Sequence, residues 1–236
     1  MKEILSMRLR KDPKRSESSR RWLQRQMKDP YVVRSKKEGY RSRAAYKLLE
    51  LNEKYHFLKP SLTVLDLGAA PGGWTQIAVS LVKSTSQNPS VFAFDILPME
   101  PLEGASIFEG DFMEDAVLKN LEEAIGGKVD VVLSDMAPST TGHAATDHLR
   151  IIGMVEAAYD FARNILKPGG AFIAKVFQGG TEKDLLLLLK QDFEKVHHAK
   201  PPASRKQSSE LFVIALGFGK NKFSSKEDEE KRNEKM

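Results

Sequence analysis

Cysteine is missing from all 236 residues. That excludes disulfides, thiolate nucleophiles and thiolate-held metals, and it suits a reducing compartment such as the cytoplasm. Long apolar runs are missing too. The longest cluster, Leu185 to Leu189, falls far short of the ~18 residues of a membrane span, so no membrane partner is expected. Met1 to Arg10 has no apolar centre to act as a secretory signal, and Glu3, Asp12 and Glu17 are acids that organelle transit peptides avoid. Histidine is scarce: His56, His143, His148, His197 and His198 show neither metal-ligand spacing nor a convincing base arrangement, so no metal is expected. His197 and His198, neighbours on an expected strand, point to opposite faces. The 41% apolar content still suffices for the core of one α/β domain.

Charge is unevenly spread. Residues 1–47 hold 16 Lys/Arg against 5 Asp/Glu, while the whole chain carries only +5, so everything after Lys47 is net acidic. A basic arm on a mildly acidic domain is the electrostatic footprint of a polyanion binder. A solvated tail would carry the same charge. Here, however, Trp22, Tyr31 and Tyr40 lie among the arginines, and such side chains together stack on unpaired bases. Arg34, Lys36, Lys37, Arg41 and Arg43 are the expected phosphate contacts, and Lys200 to Arg205 is a second candidate RNA-facing loop. The expected organisation is a basic RNA-binding arm (1–41), a domain (42–219) and a charged tail (220–236).

The domain reads as strands alternating with helices, the pattern of a mostly parallel sheet. Ser19 to Met27 suggests a short helix that packs Trp22. Ser42 is a candidate N-cap for a helix from Arg43 to about Lys54. Lys47 lies at the edge of its apolar stripe, where a long amine reaches over the domain rim. Strands are expected at 63–67, 91–95, 107–108, 129–133 and 171–177, and helices at 75–83, 149–166 and 182–193. Two late strands, near 196–200 and 210–216, follow one another without a helix and should pair antiparallel. Lys167-Pro168-Gly169-Gly170 stops the helix before it.

Leu65-Asp66-Leu67-Gly68-Ala69-Ala70-Pro71-Gly72-Gly73-Trp74 is the segment richest in chemistry. A strand ending in an acid and a glycine-rich turn brings a nucleotide-like ligand to the sheet edge, and glycine lets the backbone approach it closely. The spacing is Gly-x-x-x-Gly-Gly, which is neither the dinucleotide fingerprint nor a phosphate-binding P-loop. A nucleoside without phosphates fits better, and a nicotinamide-dependent oxidoreductase becomes a distant reading. Asp95 ends the second strand, 27 residues after Gly68, where an acid hydrogen-bonds ribose hydroxyls. Asp111 and Asp135 follow the third and fourth strands at the same sheet edge, and Asp66 lies where the loop leaves the sheet. Several carboxylates around one ligand favour a cationic sulfonium over a pyrophosphate.

The glycine-rich segment resembles the S-adenosylmethionine site of the FtsJ/RrmJ family of RNA ribose 2′-O-methyltransferases. Four more blocks agree in order: Gly39 to Leu48, Leu133 to Pro138, Ala174 to Gly179, and Ser204 to Glu210. The resemblance covers about Ser18 to Gly217 and looks strongest toward the bacterial branch that modifies large-subunit ribosomal RNA. It implies a Rossmann-like methyltransferase fold: a mostly parallel seven-stranded sheet with an antiparallel last strand and helices on both faces. It also implies S-adenosylmethionine as cofactor, with Gly72, Trp74, Asp95, Asp111 and Asp135 binding it. A buried Trp74 packing in the core is the alternative for that residue.

The same resemblance supplies a catalytic tetrad of Lys47, Asp135, Lys175 and Glu210. Lys175 lies mid-strand in apolar surroundings, where a lysine requires a partner, and is the expected general base. Asp135 would orient it, and Lys47 and Glu210 would position the ribose. The implied reaction methylates the 2′-hydroxyl of an A-loop uridine in 23S ribosomal RNA of the large subunit, with RNA rather than DNA as partner and the protein as a monomer. Methylation of transfer RNA or a messenger cap, and a non-catalytic ribosome-assembly role, are the competing readings.

Overall fold

The computed structural model describes residues 29–138, 141–177 and 182–219. The helix expected at Ser19–Met27, Trp22 and the tail from Lys220 lie outside the described residues. Within them the chain runs α1 (Pro30–Glu38), α2 (Ala44–Tyr55), β1 (Val64–Leu67), α3 (Gly73–Val82), β2 (Val91–Asp95), β3 (Ala105–Glu109) and α4 (Asp115–Ile125). It continues through β4 (Val129–Ser134), α5 (Ala144–Ile165), β5 (Leu166–Phe177), α6 (Glu182–Asp192), β6 (Phe193–Ala199) and β7 (Glu210–Phe218).

The strands form one sheet in the order β3-β2-β1-β4-β5-β7-β6. Neighbours from β3 to β5 pair parallel, and β7 runs antiparallel to both β5 and β6. This is the expected mostly parallel seven-stranded sheet. All four residues of β1 are buried, because a parallel strand is covered on both faces, and Asp66 is the polar exception among its apolar residues. One face packs Leu48 and Leu51 of α2 with Trp74 and Ile77 of α3. The other packs Leu121 of α4, Ile151, Val155 and Tyr159 of α5, and Leu185 and Leu189 of α6. Each such side chain, fully buried, contributes ~1.5–3 kcal/mol.

Two helices were not foreseen. In α1 the Asp29 carboxylate caps the Tyr31 N–H at 3.1 Å, Pro30 opens the helix and Gly39 closes it at φ 77°. That punctuation is legible, but α1 has no apolar stripe, and its one buried residue is Ser35. In α4, Val117, Leu118, Leu121 and Ile125 face the core at helical spacing, and Gly126 closes it in the left-handed region.

β5 also starts earlier than expected. Leu166 already pairs with Val129, and the ladder then shifts register before resuming at Ala171. Lys167 to Gly170 is therefore an irregularity within the ladder, with Gly169 at φ 80°. Residues 29–41 pack directly on the domain: Tyr31 Oη donates to Glu50 at 3.1 Å, and the Arg41 N–H donates to Gln76 Oε1 at 2.7 Å.

Candidate active site

A cavity of about 380 Å³ opens at the carboxyl ends of β1, β2, β3 and β4, where open α/β sheets bind ligands. Asp95, Asp111 and Asp135 all line it. Asp95 Oδ2 accepts the Ala70 N–H at 2.9 Å and Oδ1 accepts the Leu97 N–H at 2.8 Å. These bonds fix the carboxylate and leave further lone pairs for ligand hydroxyls. Asp111 is held in the same way by the Met113 N–H at 2.9 Å. Ile96, Leu97 and Met113, each more than half exposed, form apolar lips around the mouth, and Phe112, Met136 and Met154 line the interior. Flat apolar walls joined to three carboxylates fit a purine nucleoside that carries positive charge. S-adenosylmethionine is such a ligand: Asp95 would take the ribose hydroxyls, Asp111 the adenine edge and Asp135 the sulfonium end.

Gly68 sits on this cavity at φ 74°, and a Cβ there would lie 2.7 Å from the Met136 backbone nitrogen. Gly72 and Gly73 serve a different contact. A Cβ on Gly72 would meet Arg41 Nη1 at 2.9 Å, and one on Gly73 would run into Ser42 Oγ. Neither Gly72 nor Trp74 lines the cavity. The Trp74 side chain is 2% exposed, donates Nε1–H to the Ala44 carbonyl at 2.9 Å and packs on Phe212. The structure thus gives the indole the core position weighed as its alternative. Any approach of Gly72–Trp74 to a ligand is through backbone at the start of α3, which no side chain caps.

Asp66 faces the opposite way, into the β1–α3 interface. It is fully buried and accepts the Thr75 hydroxyl at 2.7 Å, while Oδ1 has no hydrogen-bond partner. Burial, reinforced by the charges of Asp135 and Asp95, pushes its carboxyl up to about 7.

The four expected catalytic residues form two ion pairs. Lys175 Nζ lies 2.8 Å from Asp135 Oδ1 and donates to the Asp135 carbonyl at 2.6 Å. The carboxylate contact is ionic, without hydrogen-bond alignment at Oδ1. Lys47 Nζ donates to Glu210 Oε2 at 2.7 Å, and both side chains are 13% exposed. Sheet register explains the grouping. Lys175 is directly opposite Phe212, and Phe177 is opposite Glu210, so Lys175 and Glu210 share one face as diagonal neighbours. Lys47 reaches that face from α2, with Nζ 5.6 Å from the Phe212 ring centroid. Ser204 Oγ donates to Glu210 Oε1 at 2.8 Å, so both Glu210 oxygens are directed.

The expected RNA contacts divide. Arg41 is committed within the fold: its guanidinium donates to the carbonyls of Pro71, Glu100 and Pro101 at 3.3, 2.7 and 2.7 Å. Tyr31 and Tyr40 pack on the Tyr46 ring at 5.3 and 5.5 Å rather than standing free for bases. Tyr46 itself donates to Glu38, and burial with that bond pushes its phenol up to about 12. Arg43 donates to Asp29 and to the Ala203 carbonyl. Burial and the neighbouring Arg205 pull its guanidinium below the usual arginine range. Lys36 and Lys37 are exposed on α1. Among the described residues, no cluster of His, Asp and Glu could hold a metal, and no helix is long and apolar enough to cross a membrane.

Residues 40–218 match the FtsJ-like methyltransferase family. The chain belongs to that family. The FtsJ-like match includes every tetrad residue and the whole cavity. A ribosomal RNA large subunit methyltransferase E from Mesorhizobium japonicum is 55% identical over 215 residues, covering 91% of this chain and 81% of the relative. Its namesake from Brucella anthropi is 56% identical over 202 residues, covering 86% and 84%. A solved structure from Plasmodium falciparum, described as a candidate ribosomal RNA methyltransferase, superposes with a TM-score of 0.67 at 31% identity. It covers 76% of this chain and 99% of its own. The FtsJ-like fold and methyltransferase class of this chain follow.

Proposed function

We propose that this protein methylates the ribose 2′-hydroxyl of a uridine in the A-loop of 23S ribosomal RNA, within the large ribosomal subunit, as a cytoplasmic monomer. The observation that carries the reading is the Lys175–Asp135 pair: Asp135 lines a cavity suited to a cationic nucleoside, and Lys175 is a diagonal neighbour of Glu210, which pairs with Lys47. The names of the Mesorhizobium and Brucella relatives support ribosomal RNA as substrate.

S-adenosylmethionine supplies, when bound, an activated methyl group and a neutral thioether leaving group. The protein must then orient and deprotonate a weak nucleophile. Lys47 and Glu210 offer a donor and an acceptor for the ribose hydroxyls. Lys175 Nζ, once the ammonium of the ion pair has released a proton to solvent, accepts the 2′-hydroxyl proton. Asp135 fixes the direction of that amine through two contacts and then balances the ammonium that forms. Alignment of this kind lowers a barrier by up to roughly 7–11 kcal/mol.

The test is to incubate undermethylated large subunits, free ribosomal RNA and transfer RNA with methyl-labelled S-adenosylmethionine, and to map the label. Label on the ribose of an A-loop uridine supports the proposal. Label confined to transfer RNA, or absent while the cofactor binds, overturns it.

A further inference from the structure

A second concavity, about 170 Å³, borders the tetrad and is lined by Arg43, Ala44, Lys47, Arg205, Ser208 and Glu210. It shares no lining residue with the larger cavity. Three cations face one carboxylate here, and Lys47 is already matched to Glu210. The remaining two cations share a single buried acid. Asp29 Oδ2 accepts from Arg43 Nη1, and from Arg205 Nε and Nη2 at 3.3 and 3.2 Å. Asp29 is only 8% exposed and does not line the concavity, so it holds the two guanidiniums from behind. Arg43 is tied further to the Ala203 carbonyl. The Arg205 side chain is 38% exposed and keeps Nη1 for another partner. Of the charged side chains that line the wall, three are cations and one, Glu210, is an acid, and Arg205 is the cation left most open to solvent-side partners.

We propose that this concavity seats the phosphodiester on the 3′ side of the ribose presented for methylation, with Arg205 as its main donor and Asp29 as the positioning residue. The inference rests on the ribose-methylation reading above. Its geometry comes from the substrate's own chemistry: the 2′-hydroxyl and the 3′-phosphate stand on adjacent ribose carbons. A phosphate seat must then border the residues that hold the hydroxyl, and Lys47 and Glu210 belong to both. An anion here also relieves the repulsion between the two guanidiniums. The fork geometry of arginine suits phosphate oxygens, and the Ser208 hydroxyl lies on the same wall.

The experiment measures initial methylation rates on undermethylated large subunits across a series of salt concentrations, for the wild type, Arg205→Ala, Arg205→Lys and Asp29→Asn. Cofactor affinity is titrated in parallel. Arg205→Ala is expected to raise KM for the subunit about tenfold and to make the log–log salt dependence shallower by roughly one unit, the signature of one lost phosphate contact. Arg205→Lys keeps the charge but not the fork, so its salt slope stays at the wild-type value while KM rises several-fold. Asp29→Asn leaves both cations present but unheld, so KM rises without a shallower slope. Cofactor affinity is unchanged in all three. An unaltered salt slope in Arg205→Ala, whatever its KM, overturns the inference. Failure of the wild type to label ribosomal RNA overturns the proposed function itself, so the two failures are distinct.

Discussion

Two side chains deserve separate tests because each is buried with a charge that water would otherwise hold. Lys175 is 8% exposed and meets only Asp135 groups among its polar contacts. Lys175→Ala is expected to abolish methyl transfer and leave cofactor affinity within about threefold, since Asp95 and Asp111 remain anchored by backbone N–H groups. Calorimetric titration beside a labelling assay checks both halves, and near-normal turnover would remove Lys175 from the chemistry. Asp66 presents the opposite case, a carboxyl raised from 3.8 to about 7 by burial. Its folded form binds a proton more tightly than its unfolded form. Stability is therefore fully present below pH 3.8, declines as the unfolded carboxyl ionises, and levels off once pH passes about 7. Asp66→Asn removes that titration while keeping an acceptor for Thr75. Denaturant melts should show the two proteins alike near pH 4 and the variant more stable by about 4 kcal/mol near pH 8. Equal curves at both pH values would mean that Asp66 ionises freely.

Among the elements, the α1–α2 connection does most to join the two sites. Arg41 stands between the helices, and its guanidinium gathers carbonyls from Pro71 and from the 100–101 segment. That segment continues the loop bearing Ile96 and Leu97, which line the larger cavity, the proposed cofactor site. Arg41→Ala should weaken cofactor binding roughly five- to tenfold, with Arg41→Lys only partly restoring it, because three carbonyls suit a planar fork better than a point charge. Isothermal titration without RNA is the check, and unchanged affinity would confine Arg41 to packing. The same connection marks where reading from sequence ran short. The β-strand ends carrying Asp95, Asp111 and Asp135 were legible, because strand periodicity and terminal acids are local signals. The orientation of Trp74 was not, since an apolar residue opening a helix packs equally well inward or toward a ligand. Nor does sequence show that the side space at Gly72 is taken by Arg41 and that at Gly73 by Ser42, since both neighbours lie far earlier in the chain. Asp29 carried a legible capping signal ahead of Pro30, but its hold on Arg205 spans 176 residues, and no local pattern encodes that.

Taken whole, the molecule sets cations beside one site and carboxylates around the other. Its two ligands should then respond differently to salt. If about six phosphates contact the basic face, RNA binding should fall with a log–log slope near −4 to −5, while cofactor affinity changes by no more than about threefold between 50 and 200 mM salt, since a small enclosed ligand is screened little. Filter binding of RNA and titration of cofactor in the same buffers test this, and salt-indifferent RNA binding would contradict it. The antiparallel insertion of β7 between β5 and β6 bears on how the enzyme is born. Lys47 lies in one of the first described helices, yet its partner Glu210 arrives 163 residues later, on the last of the described strands. Every residue lining the larger cavity precedes β5, whereas one half of the pair proposed to face the ribose lies on β7. On the proposed mechanism, catalytic competence is thus withheld until β7 has been translated.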